Sequence, residues 1–295
     1  MPRLAMIVNP HSGLQQGPQI LDVVMPFLAN AGLTLDVRET SHPEHAGEMA
    51  ELMNVEGLDG ICAIGGDGTF HEVLNGVMRR KDGKRLPLGL IPGGLGNSLM
   101  HDLQTIDPLK AAKRITRLDP QPMDLMKVEC PDMTCYAFNL AAFGLMVGAN
   151  IKAERLRVFG RRRYDVAALW EIIFNRHHKA MLTVDNGKPE EDDYAFITGM
   201  NTVHMGLGMK IAPRAKIDDG KLDLILVRRV RRHQLIGMLS KVYSGEHVSS
   251  PQLEYRQVTS FKITTSAPAP LNIDGEIKGT TTLTVTIEPQ AVQLL

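Results

Sequence analysis

Three absences bound what this chain can do. Cysteine occurs only at positions 62, 130 and 135, with no CxxC or CxxH spacing. That argues against structural zinc and a disulfide framework, and fits a reduced, intracellular setting. The 33 basic and 33 acidic residues leave a formal net charge of zero. The broad positive field that draws a protein to nucleic acid is therefore missing. No stretch reaches the roughly 18 uninterrupted apolar residues of a membrane span. The opening MPRLAMIVNP holds no apolar region of signal-peptide length. The expectation is a cytoplasmic protein whose membrane contact, if any, is peripheral. No internal repeat or low-complexity tract is visible, and the 10 histidines form no HExxH or paired-ligand pattern.

What is present can build a large core. The chain has 295 residues and is 43% apolar, which is length enough for two domains. Up to about residue 122, short apolar strands alternate with helical patterns. LAMIVNP, LTLDVRET, LDGICAI and LPLGLIP read as strands; Pro18 to Ala31, Pro43 to Met53 and Thr69 to Arg79 read as helices. That alternation predicts an α/β domain with a parallel sheet, and such sheets bind ligands outside the carboxyl ends of their strands. Asn9 to Gly13, Thr40, Gly65 to Gly68 and Gly93 to Asn97 all fall at those ends. After LDPQP the texture changes to many strands with few helices, from MDLMKVE to TTLTVTIE. Residues 123–295 are thus expected to form a mainly antiparallel β domain, interrupted by helical stretches at Ala149 to Phe174 and Arg232 to Tyr243.

The stretch AIGGDGTFHEVLNG sets the chemistry. It reads as strand, glycine turn, helix. A helix start offers unpaired N–H groups and a positive dipole end, and glycines let an anion approach that backbone. A phosphate is the natural guest. Asp67 in its midst would repel a phosphate unless it takes a proton or a cation intervenes, which points to phosphoryl transfer. PGGLGNSL adds a second glycine turn, with Asn97 at a helix-cap position. Two such turns at adjacent strand ends make a polyphosphate cradle. Further along, NIDGEIKG is either a hairpin turn or a turn presenting an acid as base or cation ligand. IDDGKLDL, with Asp218, Asp219 and Asp223, poses the same choice, and turn is the stronger reading of the spacing. RLRVFGRRRY is either a solvated face or a source of phosphate-binding guanidinium groups. VRRVRRHQ is a solvated face or a patch attracted to anionic lipid. His71 follows the first glycine turn but is given no role.

Taken in order, VNPHSG, ETSHPEHA, GGDGTFHEVLNG, PGGLGNSL, GLGMKIAPRAKIDDGKLDL and NIDGE resemble the diacylglycerol kinase catalytic domain family, over nearly the whole chain. That family includes bacterial lipid kinases, sphingosine kinases and ceramide kinases. The resemblance implies a phosphofructokinase- or NAD-kinase-like nucleotide domain (1–122), a β-sandwich lipid domain (123–295), and ATP in the cleft between them. It implies nucleotide contacts from Asn9, Pro10, Thr40, Gly65, Gly66, Asp67, Gly68, Thr69, Gly94, Leu95, Gly96 and Asn97, and from Asp274, Gly275 and Glu276. Arg157 and Arg163 match arginines of a sphingosine kinase segment. Asp67 or Glu276 would be the base. Asp219, with carbonyls near Lys216 and Lys221, would hold a structural Mg²⁺.

Three departures stand out. LQQG follows VNPHSG without the basic residue many relatives carry. Leu95 replaces a Ser or Thr. Asn150 falls where sphingosine kinases place an Asp that pairs with the sphingoid amine. An Asn offers no charge to an ammonium but can hydrogen-bond a hydroxyl or amide. The resemblance, so modified, implies a neutral acceptor such as diacylglycerol or a ceramide-like lipid at a membrane surface, with an apolar loop or a homodimer as routes for lipid entry. A sphingosine kinase, an NAD-kinase-like enzyme and a catalytically silent nucleotide- or lipid-binding protein are the competing readings.

Overall fold

The computed structural model describes residues 1–13, 16–155, 163–174 and 177–295, with the side chains of 154, 155 and 163–165 outside that description. Contacts divide the chain into two units, Met1–Met123 with Gln290–Leu295, and Asp124–Pro289.

The first unit is built on a parallel sheet in the order β4-β3-β1-β2, from β1 (Arg3–Val8), β2 (Thr34–Glu39), β3 (Gly60–Gly65) and β4 (Leu88–Pro92). β3 is buried throughout and β1 from Leu4 onward, the pattern of parallel strands covered on both faces. Helices α1 (Gly17–Asn30), α2 (His45–Leu52) and α3 (Asp67–Arg79) connect them, and α4 (Ser98–Asp102) and α5 (Pro108–Ile115) follow β4. α5 escaped the sequence reading although its start is well marked. The Asp107 carboxylate accepts the Lys110 N–H at 3.0 Å, and proline opens the helix. The chain's last residues return here: Leu294 pairs in parallel with Leu88, and Arg114 Nε donates to the Leu295 carbonyl at 3.0 Å. Because the four strands run the same way, Val8, Glu39, Gly65 and Pro92 end at one edge of the sheet.

The second unit is antiparallel in every pairing that joins two of its strands by register. Its strands are β5 (Gln121–Glu129), which leads into it, β6 (Thr134–Ala137), β7 (Leu140–Gly144), β8 (His178–Val184), β9 (Glu190–Met200), β10 (Leu222–Arg228), β11 (Leu253–Val258), β12 (Ser260–Thr264), β13 (Pro270–Ile273), β14 (Glu276–Thr280) and β15 (Leu283–Leu294). β9 is the hub. Its first half pairs with β8, and its second half pairs with β7 on one side and β10 on the other. Inward residues of ten of these strands, among them Met126, Phe143, Ile197, Leu224, Phe261 and Val285, form the sandwich core.

Two sequence expectations are corrected here. CYAFNLAAF is not one strand: the chain breaks between β6 and β7 at Phe138 and Asn139, whose N–H groups turn to the Asp274 carboxylate. The helical stretch is two helices, α6 (Leu145–Arg155) and α7 (Arg163–Phe174), and it starts earlier than Ala149. Among the described residues α8 (Arg232–Leu239) follows, with a short 3-10 turn at Glu246–Ser249 after it. Among the described residues, no helix is long and apolar enough to cross a membrane.

His247, in the turn after α8, is buried with Nε2 facing the Ile211 carbonyl at 3.1 Å. Burial depresses its basicity below that of a free imidazole. The unfolded chain therefore takes up a proton near pH ~6.5 that the folded ring refuses. Stability is full above that pH and is lost as pH falls from the unfolded value to the lower folded one. Denaturant titrations at pH 7 and pH 5 should show a decline that shrinks in His247→Gln; an equal decline in both proteins would contradict this assignment.

Candidate active site

The loops at the sheet edge of the first unit pack backbone against backbone. A methyl group on Gly94 would sit 2.4 Å from Gly66 Cα, and one on Gly66 would sit 3.0 Å from Gly94 Cα. Gly13, at φ +59°, brings its Cα face to the Gly93 carbonyl, 2.3 Å from where a Cβ would stand. The Gly93 N–H donates to the Gly65 carbonyl at 2.7 Å. The glycines of the three loops are thus required by one another, before any ligand is considered.

Side chains then lock the loops. Asn9 Nδ2 donates to Thr69 Oγ1 at 2.9 Å, while its Oδ1 accepts the His11 N–H at 3.0 Å. Pro10 is half-buried in the same loop. Thr40 is buried after β2 and donates its N–H to the Val8 carbonyl at 2.9 Å. Asn97 departs from expectation. It sits at the N-cap position of α4 with φ 49°, but its side chain turns back, accepting the Gly94 N–H at 3.1 Å and donating to the Gly94 carbonyl at 2.8 Å. The cap comes from Asp67, whose carboxylate accepts the Ser98 N–H at 2.9 and 3.1 Å and the Ser98 hydroxyl at 3.1 Å. Ser98 was not singled out from the sequence; the only signal was its place directly after Asn97. Ser12, inside the Asn9 to Gly13 stretch but not singled out there, is buried, and its hydroxyl lies 3.8 Å from where a Gly66 Cβ would be.

α3 starts at Asp67 with glycine at its N-cap and no side-chain cap. The helical ladder begins with the Phe70 N–H on the Gly66 carbonyl at 3.1 Å, so the amides before it lie outside that ladder, and the dipole adds positive potential there. Gly68, Leu95 and Gly96 are half-buried around this opening. Leu95 brings no hydroxyl to it. His71 is buried in α3 against Asn75, whose Nδ2 lies 3.2 Å from its Nε2.

In the second unit, the turn between β13 and β14 is held from two sides. The buried Asp274 accepts the N–H groups of Phe138, Asn139 and Leu140 at 3.0, 2.9 and 2.9 Å. Its carboxylate is therefore an internal clamp. Asn150, buried on α6, donates Nδ2 to the Gly275 carbonyl. Glu276 follows, half-exposed, with Oε2 2.8 Å from Lys278 Nζ. So Asn150, Asp274, Gly275 and Glu276 are brought together. Arg157 lies outside the described residues; Arg163 opens α7 with its side chain outside them.

Asp219 accepts the Lys221 N–H at 3.1 Å, as a turn residue does. Asp223 is wholly buried, its Oδ2 without a hydrogen-bond partner. Burial raises its carboxyl above the ordinary range, and the Asp219 charge adds to the rise. An orphaned carboxylate oxygen beside an Asp turn rich in carbonyls is a hard-oxygen donor set, which fits Mg²⁺ rather than a softer metal. The histidine reading also needs correction. His42, His45 and Glu48 place ligand atoms within 4.8 Å of one another, with the two rings stacked at 4.4 Å. His45 Nδ1 already accepts the Ser41 N–H at 3.0 Å.

Comparisons place these features in a family. The diacylglycerol kinase catalytic domain model matches residues 3–128. A second model, the YegS C-terminal NAD kinase beta sandwich-like domain, matches 139–295. The second match spans more than half of the chain, and the chain belongs to that YegS C-terminal domain family, with the diacylglycerol kinase catalytic domain match ahead of it. Sphingosine kinase 1 of Arabidopsis thaliana is 27% identical over 88% of this chain and 63% of its own length. Sphingoid long chain base kinase 4 of Schizosaccharomyces pombe is 27% identical over 89% of this chain and 67% of its own. The diacylglycerol kinase of Staphylococcus carnosus is 27% identical over 94% of this chain and 89% of its own. The chain thus spans under two thirds of the plant kinase. A diacylglycerol kinase structure from Bacillus anthracis superposes with TM-score 0.81 at 23% identity, covering 99% of this chain and 96% of that one; at that identity the likeness is one of fold.

The loop packing makes a direct prediction. Gly94→Ala should destabilise the fold by about 1–3 kcal/mol, because backbone must move to admit the methyl group. Urea denaturation checks this; an unchanged midpoint would mean that the loops are not in contact.

Proposed function

We propose that the chain is an ATP-dependent lipid kinase that transfers the γ-phosphate to the hydroxyl of a neutral lipid, diacylglycerol or a ceramide-like lipid. The observation that carries the kinase reading is the uncapped start of α3 inside a cradle of three interlocked glycine loops, with an acid fixed at its first position. Phosphoryl transfer asks a protein mainly for positioning and for stabilisation of charge on the transferring group. The α3 amides and the Gly94–Asn97 turn meet that need for the phosphates.

The two acids divide the remaining work. Asp67 is held by Ser98 and cannot swing, which suits a group that holds a phosphate-bound cation in place. Glu276 is half-exposed, its carboxylate bonded to the flexible Lys278. It is free to exchange that partner for a lipid hydroxyl and accept its proton. Asn150 supports a neutral acceptor, since the amide has no charge to offer an ammonium. Asp219, with carbonyls of Lys216 and Lys221, would hold Mg²⁺ and stiffen the turn leading into β10; the ion supplies positive charge there.

γ-Labelled ATP with Mg²⁺, offered diacylglycerol, monoacylglycerol, ceramide, sphingosine or NAD, tests the whole reading. Label should enter a neutral lipid. Asp67→Asn should lower turnover by about 100-fold or more with little loss of stability, since Asn still accepts from Ser98. Label in sphingosine would overturn the neutral-acceptor reading, and label in NAD alone or nowhere would overturn the lipid kinase. Separately, Mg²⁺ at ten times its dissociation constant should stabilise the protein by about 1.4 kcal/mol and leave Asp219→Ala unmoved. Equal stabilisation of both proteins would dismiss the Asp219 site.

A further inference from the structure

The turn from β2 into α2 carries three ligand-type side chains that phosphoryl transfer does not use: His42, His45 and Glu48, spaced H-x-x-H-x-x-E. The backbone gathers them. Glu44 takes left-handed backbone, φ 68°, at the N-cap position of α2, and the His45 N–H donates to the His42 carbonyl at 3.3 Å. The two rings stack with centroids 4.4 Å apart. His45 and Glu48, three residues apart on α2, share a helix face. The helix itself is anchored on α3. The Ala46 N–H donates to Glu72 Oε2 at 3.2 Å, and a methyl group on Gly76 would stand 2.2 Å from the Gly47 carbonyl. Ligands on a support this close-packed are held for a purpose that needs position.

Hydrogen bonding decides which nitrogens are available. His42 Nδ1 lies 2.8 Å from the Pro43 carbonyl. A carbonyl only accepts, so Nδ1 carries the hydrogen and Nε2 of the neutral ring presents its lone pair. That lone pair meets Glu48 Oε2 at 3.7 Å. Two acceptors that face one another need a positive charge between them. A proton would serve for His42 and Glu48 alone. The second imidazole, with a ligand atom within 4.8 Å of the other two, is a donor that a proton does not use and a metal does. An Nδ1–H bond to a carbonyl is also the usual partner that orients a ligating histidine.

We propose that His42, His45 and Glu48 form a binding site for a divalent cation of the Zn²⁺ class, with the remaining position open to water. Two imidazoles and a carboxylate suit Zn²⁺, Ni²⁺ or Cu²⁺ rather than Mg²⁺, so this site differs in chemistry from the Asp219 turn. The positive end of the α2 dipole disfavours a cation, and the Glu48 carboxylate offsets it. Binding asks for two adjustments. A tetrahedral ion about 2.1 Å from each donor sets the donors about 3.4 Å apart, so exposed His42 and Glu48 close in and the ring stack opens. His45 changes tautomer. Its Nδ1 accepts the Ser41 N–H at 3.0 Å, which leaves the hydrogen on Nε2. With the ion on Nε2 the hydrogen moves to Nδ1 and donates to Ser41 Oγ, 3.1 Å away. The ion thus ties Ser41 to Glu48 and stiffens the turn directly after buried Thr40. The proposal does not rest on the kinase reading, since binding is measured without nucleotide and either can fail alone.

The test is calorimetric titration of Zn²⁺ into the full chain, stripped of metal and held in excess Mg²⁺ to occupy hard-oxygen sites. A single saturating Zn²⁺ should bind. His42→Gln and Glu48→Gln should each weaken it by at least about 10-fold, and Ser41→Ala, which removes the outer hydroxyl, by about 10-fold. Imidazole ¹⁵N NMR on the unaltered protein reads the site directly and serves should a variant fold poorly. Zn²⁺ should move His42 and His45 alone among the 10 histidines and transfer the His45 hydrogen from Nε2 to Nδ1. Several weak ions without a saturating stoichiometry, affinity unchanged in Glu48→Gln, shifts at other histidines instead, or a His45 that keeps its Nε2–H under Zn²⁺ would each overturn the proposal.

Discussion

Everything in the first unit depends on how closely three backbones approach. The Gly66–Gly94 and Gly13–Gly93 contacts leave no room for a methyl group, so the loops after β1, β3 and β4 form one body. Parallel strands bring those loops to one edge, and the missing Cβ atoms let them touch. Only then do the polar locks become available: Asn9 to Thr69, Asn97 to Gly94, and Asp67 to Ser98. A glycine-rich turn is usually explained by the ligand it admits. Here the glycines first serve the protein, and the anion-binding helix start is what their packing leaves open.

The second unit uses a different device for the same end. Asp274, at φ 50°, is wholly turned inward and gathers the amides where β6 gives way to β7. That clamp fixes the β13–β14 turn from below, and Asn150 holds the Gly275 carbonyl from the side. Glu276 emerges from a turn whose two preceding residues cannot move independently. Adjacent residues in one short motif thus have opposite fates, one consumed by structure and the next left half-exposed. Family membership accounts for the presence of the motif; the hydrogen bonds account for what each residue in it can do.

Much of this was legible in the sequence because the signals are local. Strand and helix periods in the first unit, the two glycine turns and the antiparallel character of the second unit follow from spacing alone. What escaped depends on distant partners. Asn97 was expected to cap α4, but an acid 31 residues away does so. Asp274 looked like a site residue until its partners, more than 130 residues earlier, were in view. The break between β6 and β7 falls at Phe138 and Asn139, where a single polar residue in an otherwise apolar run carries no period to mark it. His42, His45 and Glu48 gather through the turn into α2, which a search for standard metal spacings passes over.

The central claim is that the interlocked loops of the first unit hold a nucleotide's phosphates through their backbone amides. Hydrogen–deuterium exchange with and without ATP and Mg²⁺ tests it at the amides themselves. The account predicts added protection concentrated at residues 9–13, 65–69 and 93–97. Protection elsewhere, or none at these loops at saturating nucleotide, would contradict it.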